Sequence, residues 1–161
     1  MKCLVVFYSL SGKTKALAER AAQLLGAELA EIRSSKYGRG FFGFFRAAID
    51  GAKGRLPPIE FSGPSPDLYD FVLLLAPVWA GHAATPMRAY LTQHRGKLKR
   101  AAFVLTCGGH CPPAAFDELA AIAGVKSQAQ FVLRDKDRKG GSYVSAELDE
   151  FLSPLKTQQA A

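Results

Sequence analysis

The stretch VVFYSLSGKTKALAERAAQLLG, from Val5 to Gly26, decides the fold of this chain. Its apolar start has the length of a buried strand. Its second half places leucines and alanines at helical spacing, up to a glycine suited to end a helix. A short polar turn, SLSGKT, joins the two segments. The stretch therefore predicts a strand, a tight loop and a helix.

The rest of the chain repeats this alternation. Apolar runs predict strands of similar length at 2–8, 28–32, 70–76, 101–106 and 129–133. Amphipathic segments predict helices at 13–25, 86–94, 113–123 and 145–155, with Thr85 as the cap of the second. This order predicts an α/β fold with an open, doubly wound, five-stranded parallel sheet and helices on both faces. We expect one domain over 1–156 and a frayed tail at 157–161.

Three loops follow predicted strands at the edge where open parallel sheets bind ligands, outside the carboxyl ends of the strands. The loops are Ser9–Thr14, Pro77–Thr85 and Thr106–Pro113. Their residue types differ, and each is compatible with a purely structural role as well as with ligand binding. The argument for a site therefore depends on the three loops together.

The first loop resembles the end of a nucleoside triphosphate loop, because Gly12, Lys13 and Thr14 follow one another. That motif requires a glycine five positions before Gly12, and Phe7 occupies this position. The hydroxyls of Ser9, Ser11 and Thr14 at the start of a helix suit one terminal monophosphate, and Lys13 adds a positive charge. Alternatively, Ser11 simply caps the helix.

The other two loops combine small residues with one aromatic ring or two thiols. APVWAGHAATP places Trp79, the only tryptophan, where it either faces a flat ligand or packs in the core. TCGGHCPP contains two adjacent glycines, which permit close backbone approach to a ligand. Its Cys107, His110 and Cys111 have the spacing of neither a structural zinc site nor a C-x-x-C redox pair, so no metal site is predicted.

Taken together, the segments YSLSGKT, APVWAG and TCGG resemble the three cofactor loops of the flavodoxin family. The resemblance covers essentially the whole chain and is closest to short bacterial flavodoxin-like proteins with P-V-W-A-G and T-C-G-G loops. It implies a flavodoxin-like three-layer sandwich with strand order 2-1-3-4-5. It also implies that the loops bind FMN.

The resemblance implies a role for each loop. In the first loop, the FMN phosphate would be held by Ser9, Ser11, Gly12 and Thr14, with Leu10 and Lys13 completing the segment. The flavin ring and ribityl chain would be lined by Pro77, Val78, Trp79, Ala80 and Gly81. The opposite side would be closed by Thr106, Cys107, Gly108 and Gly109, with His110 in place of the tyrosine that often stacks on the flavin. Lys13 stands where the family often has asparagine.

The net charge of +7 bears on the choice of partner. The basic residues form two clusters, Lys36, Arg39, Arg46, Lys53 and Arg55, and Arg88, Arg95, Lys97, Lys99 and Arg100. Electron-carrier flavodoxins are typically acidic, so we expect different partners here, either NAD(P)H or an acidic redox protein. No nucleic acid partner and no stable membrane insertion are expected.

These observations predict an FMN-binding redox protein, either an electron carrier or a small NAD(P)H-dependent reductase. The alternative is a non-enzymatic flavodoxin-fold binding module without flavin. The start of the sequence shows no secretory signal pattern, so a cytoplasmic protein is expected.

The segment FFGFFRAAIDGAKGRL, at 41–56, does not fit the plain alternation. Its apolar positions predict one broad helical face. Four interpretations remain open from the sequence: packing on the sheet edge, a lid over a ligand, a dimer contact, or a surface that touches a membrane.

Overall fold

The structure, a computed structural model, describes residues 1–38, 40–137 and 146–160, and it describes the side chains of all of these except Phe41, Phe44 and residues 158–160. The strands are β1 (Cys3–Tyr8), β2 (Glu28–Arg33), β3 (Glu60–Phe61), β4 (Phe71–Trp79), β5 (His82–Ala83), β6 (Ala101–Cys107) and β7 (Ser127–Arg134). The helices are α1 (Lys13–Leu25), α2 (Phe41–Lys53), α3 (Thr85–Gln93), α4 (Ala114–Ala123) and α5 (Ala146–Ala160), with short 3₁₀ turns at Pro66–Leu68 and Asp135–Asp137.

One sheet organises the chain, with strands in the order β3-β2-β1-β4-β6-β7 and β5 paired to β4. The five longer strands are parallel and confirm the predicted order. The predicted total of five strands was too low, because β3 and β5 add short antiparallel pairings to β2 and β4. Strands of two residues contain too few positions to show an alternating pattern, and this explains why the sequence did not reveal them.

Two hydrophobic cores lie on opposite faces of the sheet. Alternate residues of β1 enter different cores, with Leu4 and Val6 on the face covered by α3 and α4, and Val5 and Phe7 on the face covered by α1 and α5. Every residue of β1 is buried, and so are the first six residues of β4. The continuous apolar run in β4 therefore reflects coverage on both faces, as the sequence predicted.

Several predicted boundaries shift in the structure. Helix α1 matches its prediction, and Gly26 ends it in the left-handed conformation. Thr85 was wrongly predicted to cap α3; the helix begins at Thr85 itself, and the Thr85 hydroxyl bonds to Tyr37 instead. The final helix extends to Ala160, beyond its expected end at Leu155, whereas its expected first residue, Ser145, lies outside the described residues.

Helix α2 belongs to an excursion that leaves and rejoins the sheet at the same edge. Arg33, the last residue of β2, pairs with Glu60, the first residue of β3. The hydroxyl of Ser34 donates a hydrogen bond of 3.0 Å to the carbonyl of Pro58 and closes the excursion. Both ends of this segment therefore lie at the carboxyl edge of the parallel strands.

A buried carboxylate fixes α2 in this position. Asp50 Oδ2 lies 2.7 Å from Lys36 Nζ and accepts a hydrogen bond of 2.9 Å from the Tyr37 hydroxyl. Burial alone would raise the pKa of the Asp50 carboxyl, but the bonds from Lys36 and Tyr37 outweigh it and hold the pKa below its ordinary value. The charged form of Asp50 is therefore part of the folded structure.

Among the described residues, no helix has the length and apolarity that a membrane span requires.

Replacing Asp50 with alanine leaves the partly buried ammonium of Lys36 without its counter-ion. We expect the free energy of unfolding in urea to fall by about 3 kcal/mol, because removal of one partner of a buried ion pair is strongly destabilising. The control is Glu19→Gln, which removes only the surface pair with Lys15 at 3.9 Å and should cost less than about 1 kcal/mol. Equal effects of the two substitutions would contradict the structural role of Asp50.

The carboxylate of Asp50 also makes the free energy of unfolding depend on pH. A depressed folded-state pKa stabilises the protein fully above the unfolded-state pKa of about 4, and this stabilisation is lost as the pH falls through the folded-state value. An Asp50→Asn variant should therefore lose less stability than the parent between about pH 5 and pH 2. Urea titrations at a series of pH values measure the difference.

Candidate functional site

A crevice of about 410 Å³ opens at the carboxyl edge of the sheet, where the strand order reverses between β1 and β4. Ten of the sixteen residues predicted from the sequence line it: Leu10, Ser11, Lys13, Thr14, Pro77, Val78, Trp79, Thr106, Cys107 and Gly108. Asp135 completes the lining. The volume lies within the range of small-molecule and cofactor sites, about 300–1,000 Å³.

One end of the crevice is formed by the start of α1. Gly12 occupies the position before the helix with φ of 92°, a left-handed conformation that suits glycine. The Ser9 hydroxyl accepts a hydrogen bond of 3.1 Å from the Gly12 N–H, so it shapes the loop from within. Among the described residues, no side chain caps this helix start. Ser11 therefore does not act as the cap considered from the sequence, and it lines the crevice.

Lys13 forms an ion pair across this polar end. Its Nζ lies 2.8 Å from Asp135 Oδ2 and 3.1 Å from Asp135 Oδ1. Sequence reasoning missed Asp135 because only three strand ends were examined. The rule that selected those three loops applies equally to the end of β7, and RDKD begins there. The charge of Lys13, which the sequence suggested for a phosphate, is thus shared with a carboxylate.

The Thr14 and Thr106 hydroxyls share a buried hydrogen bond of 2.9 Å. Thr14 lies in the first turn of α1, and Thr106 lies near the end of β6. The bond ties the first loop to the third, although 92 residues separate them in sequence. The Thr14 hydroxyl, which the resemblance implied would bind the phosphate, is thus already hydrogen-bonded to Thr106.

The apolar part of the lining comes from the end of β4. Trp79 is only 5% exposed, and its ring meets the rings of Tyr8 and Tyr37 edge-on, at centroid distances of 5.5 and 5.0 Å. Burial raises the pKa of Tyr37 to about 12, so this phenol stays neutral and keeps its proton for hydrogen bonding. The structure confirms that Trp79 packs in the core, and it also places Trp79 in the crevice lining; its contact with a flat ligand stays a prediction.

A tight turn follows Trp79 and reverses the direction of the chain beside the crevice. Ala80 and Gly81 connect β4 to the antiparallel β5, with φ of 50° and 84°. Positive φ at both central residues is the pattern of a two-residue hairpin that matches strand twist. Within the described ranges, Ala80 is the one residue other than glycine with positive φ, so the chain holds strain beside the crevice.

The third loop contributes backbone and two buried thiols. The Cys107 thiol donates to the carbonyl of Gly109 at 3.4 Å, and Gly108 lies next to Asp135. Burial, reinforced by the neighbouring Cys107, raises the pKa of the Cys111 thiol to about 11, so this thiol stays protonated and unreactive near neutral pH. In the described part of the chain, no cluster of three or more metal-binding side chains occurs.

Six predicted residues lie outside the crevice lining. They belong to the same three loops but shape turns or face elsewhere: Ser9, Gly12, Ala80, Gly81, Gly109 and His110. His110 is exposed in the structure. Their assignment to a cofactor stays a prediction.

A larger hollow of about 520 Å³ lies at the opposite edge of the sheet, beside Lys99, Arg100 and Lys126. It contains Lys99 and Arg100 of the second basic cluster, which directly precede β6 and therefore lie at the end of that strand remote from the crevice. Long charged side chains at the surface form part of this hollow, whereas the ends of four strands, β1, β4, β6 and β7, form the smaller one. The strand-end rule and the convergence of loops therefore favour the smaller crevice as the functional site.

Comparisons with known proteins agree with this fold. No family model matches the sequence, and no curated protein matches it either. The structure is similar to a flavoprotein in complex with FMN from Lactobacillus acidophilus NCFM, with a TM-score of 0.74 and 26% identity over 93% of this chain and 97% of that one. It also resembles a flavodoxin from the domain Archaea (TM-score 0.60, 15% identity, 100% of both chains) and flavodoxin 1 from Bacillus cereus (0.57, 15%, 100% and 99%).

The fold and these similarities define the class of protein. The chain is an α/β protein with the flavodoxin-like fold, and its crevice lies at the switch point of that fold. The resemblance found in the sequence is thereby confirmed in the flavodoxin-like fold of the chain.

The hydrogen bond between Thr14 and Thr106 makes a prediction about stability. Thr14→Val or Thr106→Val alone leaves one buried hydroxyl without its partner and should lower the free energy of unfolding by about 1–2 kcal/mol. The double substitution removes both polar groups at nearly constant shape, so its effect should be clearly smaller than the sum. Urea unfolding of the four proteins measures the coupling, and strict additivity would contradict it.

Proposed function

We propose that this protein binds FMN in the crevice and acts as a redox protein. The observation that carries the proposal is the convergence of three loops, distant in sequence, on one crevice with a polar end and an apolar wall. The similarity to an FMN-bound flavoprotein along almost the whole chain supports the same assignment.

The residues present fit such a ligand. Ser11 and the uncapped N–H groups at the start of α1 suit the phosphate. The apolar wall of Pro77, Val78 and Trp79 suits a flat ring, and Gly108 allows close approach on the other side. FMN, when bound, supplies one- and two-electron transfer, so the protein needs to provide only binding, orientation and electrostatics.

Asp135 is the one lining residue that opposes a phosphate. Its carboxylate is negative and holds the Lys13 ammonium, the crevice's only cation among the described lining residues. We propose that phosphate binding redirects Lys13 from Asp135 toward the ligand. The pair is about one-third exposed, so the contact costs little to rearrange.

Substitution of Ser11 tests where the phosphate binds. Wild-type protein should quench FMN fluorescence with a dissociation constant of about 1 µM or tighter. Ser11→Asp places a negative charge at the helix start, where it favours the helix but repels phosphate. We expect it to weaken FMN binding about tenfold or more and to leave riboflavin, which lacks the phosphate, nearly unchanged.

Ser153→Asp is the matched control for added charge. Ser153 lies on α5 beside Leu24, at the far end of α1 from the crevice, and the variant should bind FMN as the parent does. If Ser11→Asp weakened the binding of riboflavin and of FMN equally, the first loop would not be the phosphate site. Absence of FMN quenching in the wild type would reject the cofactor assignment.

Between the two redox roles, we propose the electron carrier, with an acidic redox protein as partner because of the +7 net charge. A direct reductase must hold the nicotinamide against the flavin ring. A hollow that contains the cations Lys15 and Arg33 shares Ser9 and Leu10 with the first loop and therefore lies on the phosphate side.

Anaerobic reduction separates the carrier from the reductase. We expect dithionite to bleach the FMN-loaded protein, whereas NADH and NADPH leave its visible spectrum unchanged over minutes. The physical reason is the position of the Lys15 and Arg33 hollow, which keeps a nicotinamide nucleotide away from the ring. Rapid bleaching by either nucleotide would instead establish the reductase.

A flavin-free binding module is the second candidate. Three polar side chains of the first loop already have hydrogen-bond partners within the protein, and this favours a site that holds no phosphate. The pairs are Ser9 with Gly12, Lys13 with Asp135, and Thr14 with Thr106. The same FMN titration decides between the two functions.

A further inference from the structure

Helix α2 carries a row of exposed apolar side chains. Phe42 is 87% exposed, Phe45 is 58% exposed and Ile49 is 36% exposed. Their spacing of three and four residues places them on one face of the helix. The sequence predicted that the apolar face of this helix would be broad, and its packing on the sheet was one interpretation. For Phe42 and Phe45 that interpretation is wrong.

The same face is positively charged. At 100° per residue, Arg46 and Lys53 fall with Phe42, Phe45 and Ile49 within an arc of about 100°. Arg46 and Lys53 are both exposed. The one acidic residue within α2, Asp50, is buried on the other side, where it pairs with Lys36. Aromatic rings and cations therefore share a surface to which the helix contributes no exposed acid.

The opposite side of α2 is fixed to the protein. Ala47 is fully buried, and a Cβ on Gly51 would lie only 3.0 Å from the carbonyl oxygen of Trp79. The helix thus approaches the end of β4 through its smallest residues, and this close approach turns the phenylalanines outward. Phe42 and Phe45 are not among the residues that line the crevice.

The occupant of this face must suit both its rings and its charge. A two-fold contact with a second copy would bring Arg46 and Lys53 of both copies into one interface, in a chain that already carries +7. Protein interfaces favour tryptophan and tyrosine as central anchors, and this face has neither. An anionic bilayer accepts phenylalanine at its acyl boundary and attracts cations to its headgroups.

We propose that the exposed face of α2 docks the protein on the surface of an anionic lipid bilayer. Phe42, Phe45 and Ile49 enter the interface, and Arg46 and Lys53 contact the anionic headgroups. The docked helix keeps its contact with Trp79, a residue of the crevice lining, through the side opposite to the lipid. The proposal does not depend on whether the crevice holds a flavin.

Vesicle sedimentation tests the docking. The full-length protein, at about 0.1 M salt, is mixed with vesicles of phosphatidylcholine alone or with about 30% phosphatidylserine. We expect binding to the anionic vesicles at least about tenfold stronger than to the neutral ones. Phe42→Ser with Phe45→Ser should reduce it by about tenfold or more, and Arg46→Gln with Lys53→Gln should reduce it several-fold.

Leu68→Ser is the matched control. Leu68 is also a large exposed apolar residue, but it precedes β4 at the opposite edge of the sheet, so its replacement should leave vesicle binding unchanged. Circular dichroism and urea unfolding establish that each variant is folded. The visible FMN titration, run in parallel, keeps failure of docking separate from failure of the cofactor assignment.

Four results would overturn the proposal. They are no binding of the folded wild type to anionic vesicles, equal binding to neutral vesicles, unchanged binding after the Phe42 and Phe45 substitutions, and an equal loss with Leu68→Ser. Sedimentation equilibrium showing a dimer that Phe42→Ser dissociates would assign the face to a second copy. Stronger binding to poly-glutamate than to the vesicles would assign it to an acidic protein.

Discussion

The burial of β1 and β4 on both faces is the constraint on which the rest of the structure depends. Because helices cover both sides of these central strands, their side chains are committed to two cores. The strand ends are left as the place where polar groups can meet. The strand order reverses between the same two strands, so the loops that follow them separate and leave the crevice between them.

The excursion that contains α2 is a second constraint on the structure at that edge. A charged side chain, Asp50, is buried to hold it, and Tyr37 links this carboxylate to both Thr85 and the Trp79 ring. The crevice wall, the excursion and the start of α3 are therefore mechanically connected. A movement of α2 toward the sheet would displace the backbone of Trp79, because α2 and Trp79 are in close contact at Gly51.

The sequence predicted the repetitive parts of the structure well. Continuous apolar runs and helical spacing identified the five parallel strands, since each pattern extends over five or more residues, and the resemblance to the flavodoxin family supplied their order. Within the site, the three loops were found from their positions after predicted strands, and their glycines, hydroxyls and single tryptophan then suggested a ligand. What sequence reasoning missed depends on contacts between distant residues. Asp135 acquires meaning only when β7 brings it to Lys13, and Asp50 looks like a solvated charge until Lys36 and Tyr37 surround it.

The hydrogen bond between the Thr14 and Thr106 hydroxyls limits how their protons can be used. Together they have two, and the bond between them uses one, whichever residue donates. Among the described residues, neither hydroxyl has another hydrogen-bond partner. One proton therefore always remains to be donated at this point of the crevice wall. A ligand atom that accepts a hydrogen bond at this point would satisfy that proton, whereas a group that only donates can bond to the hydroxyl oxygens but leaves the proton unpaired.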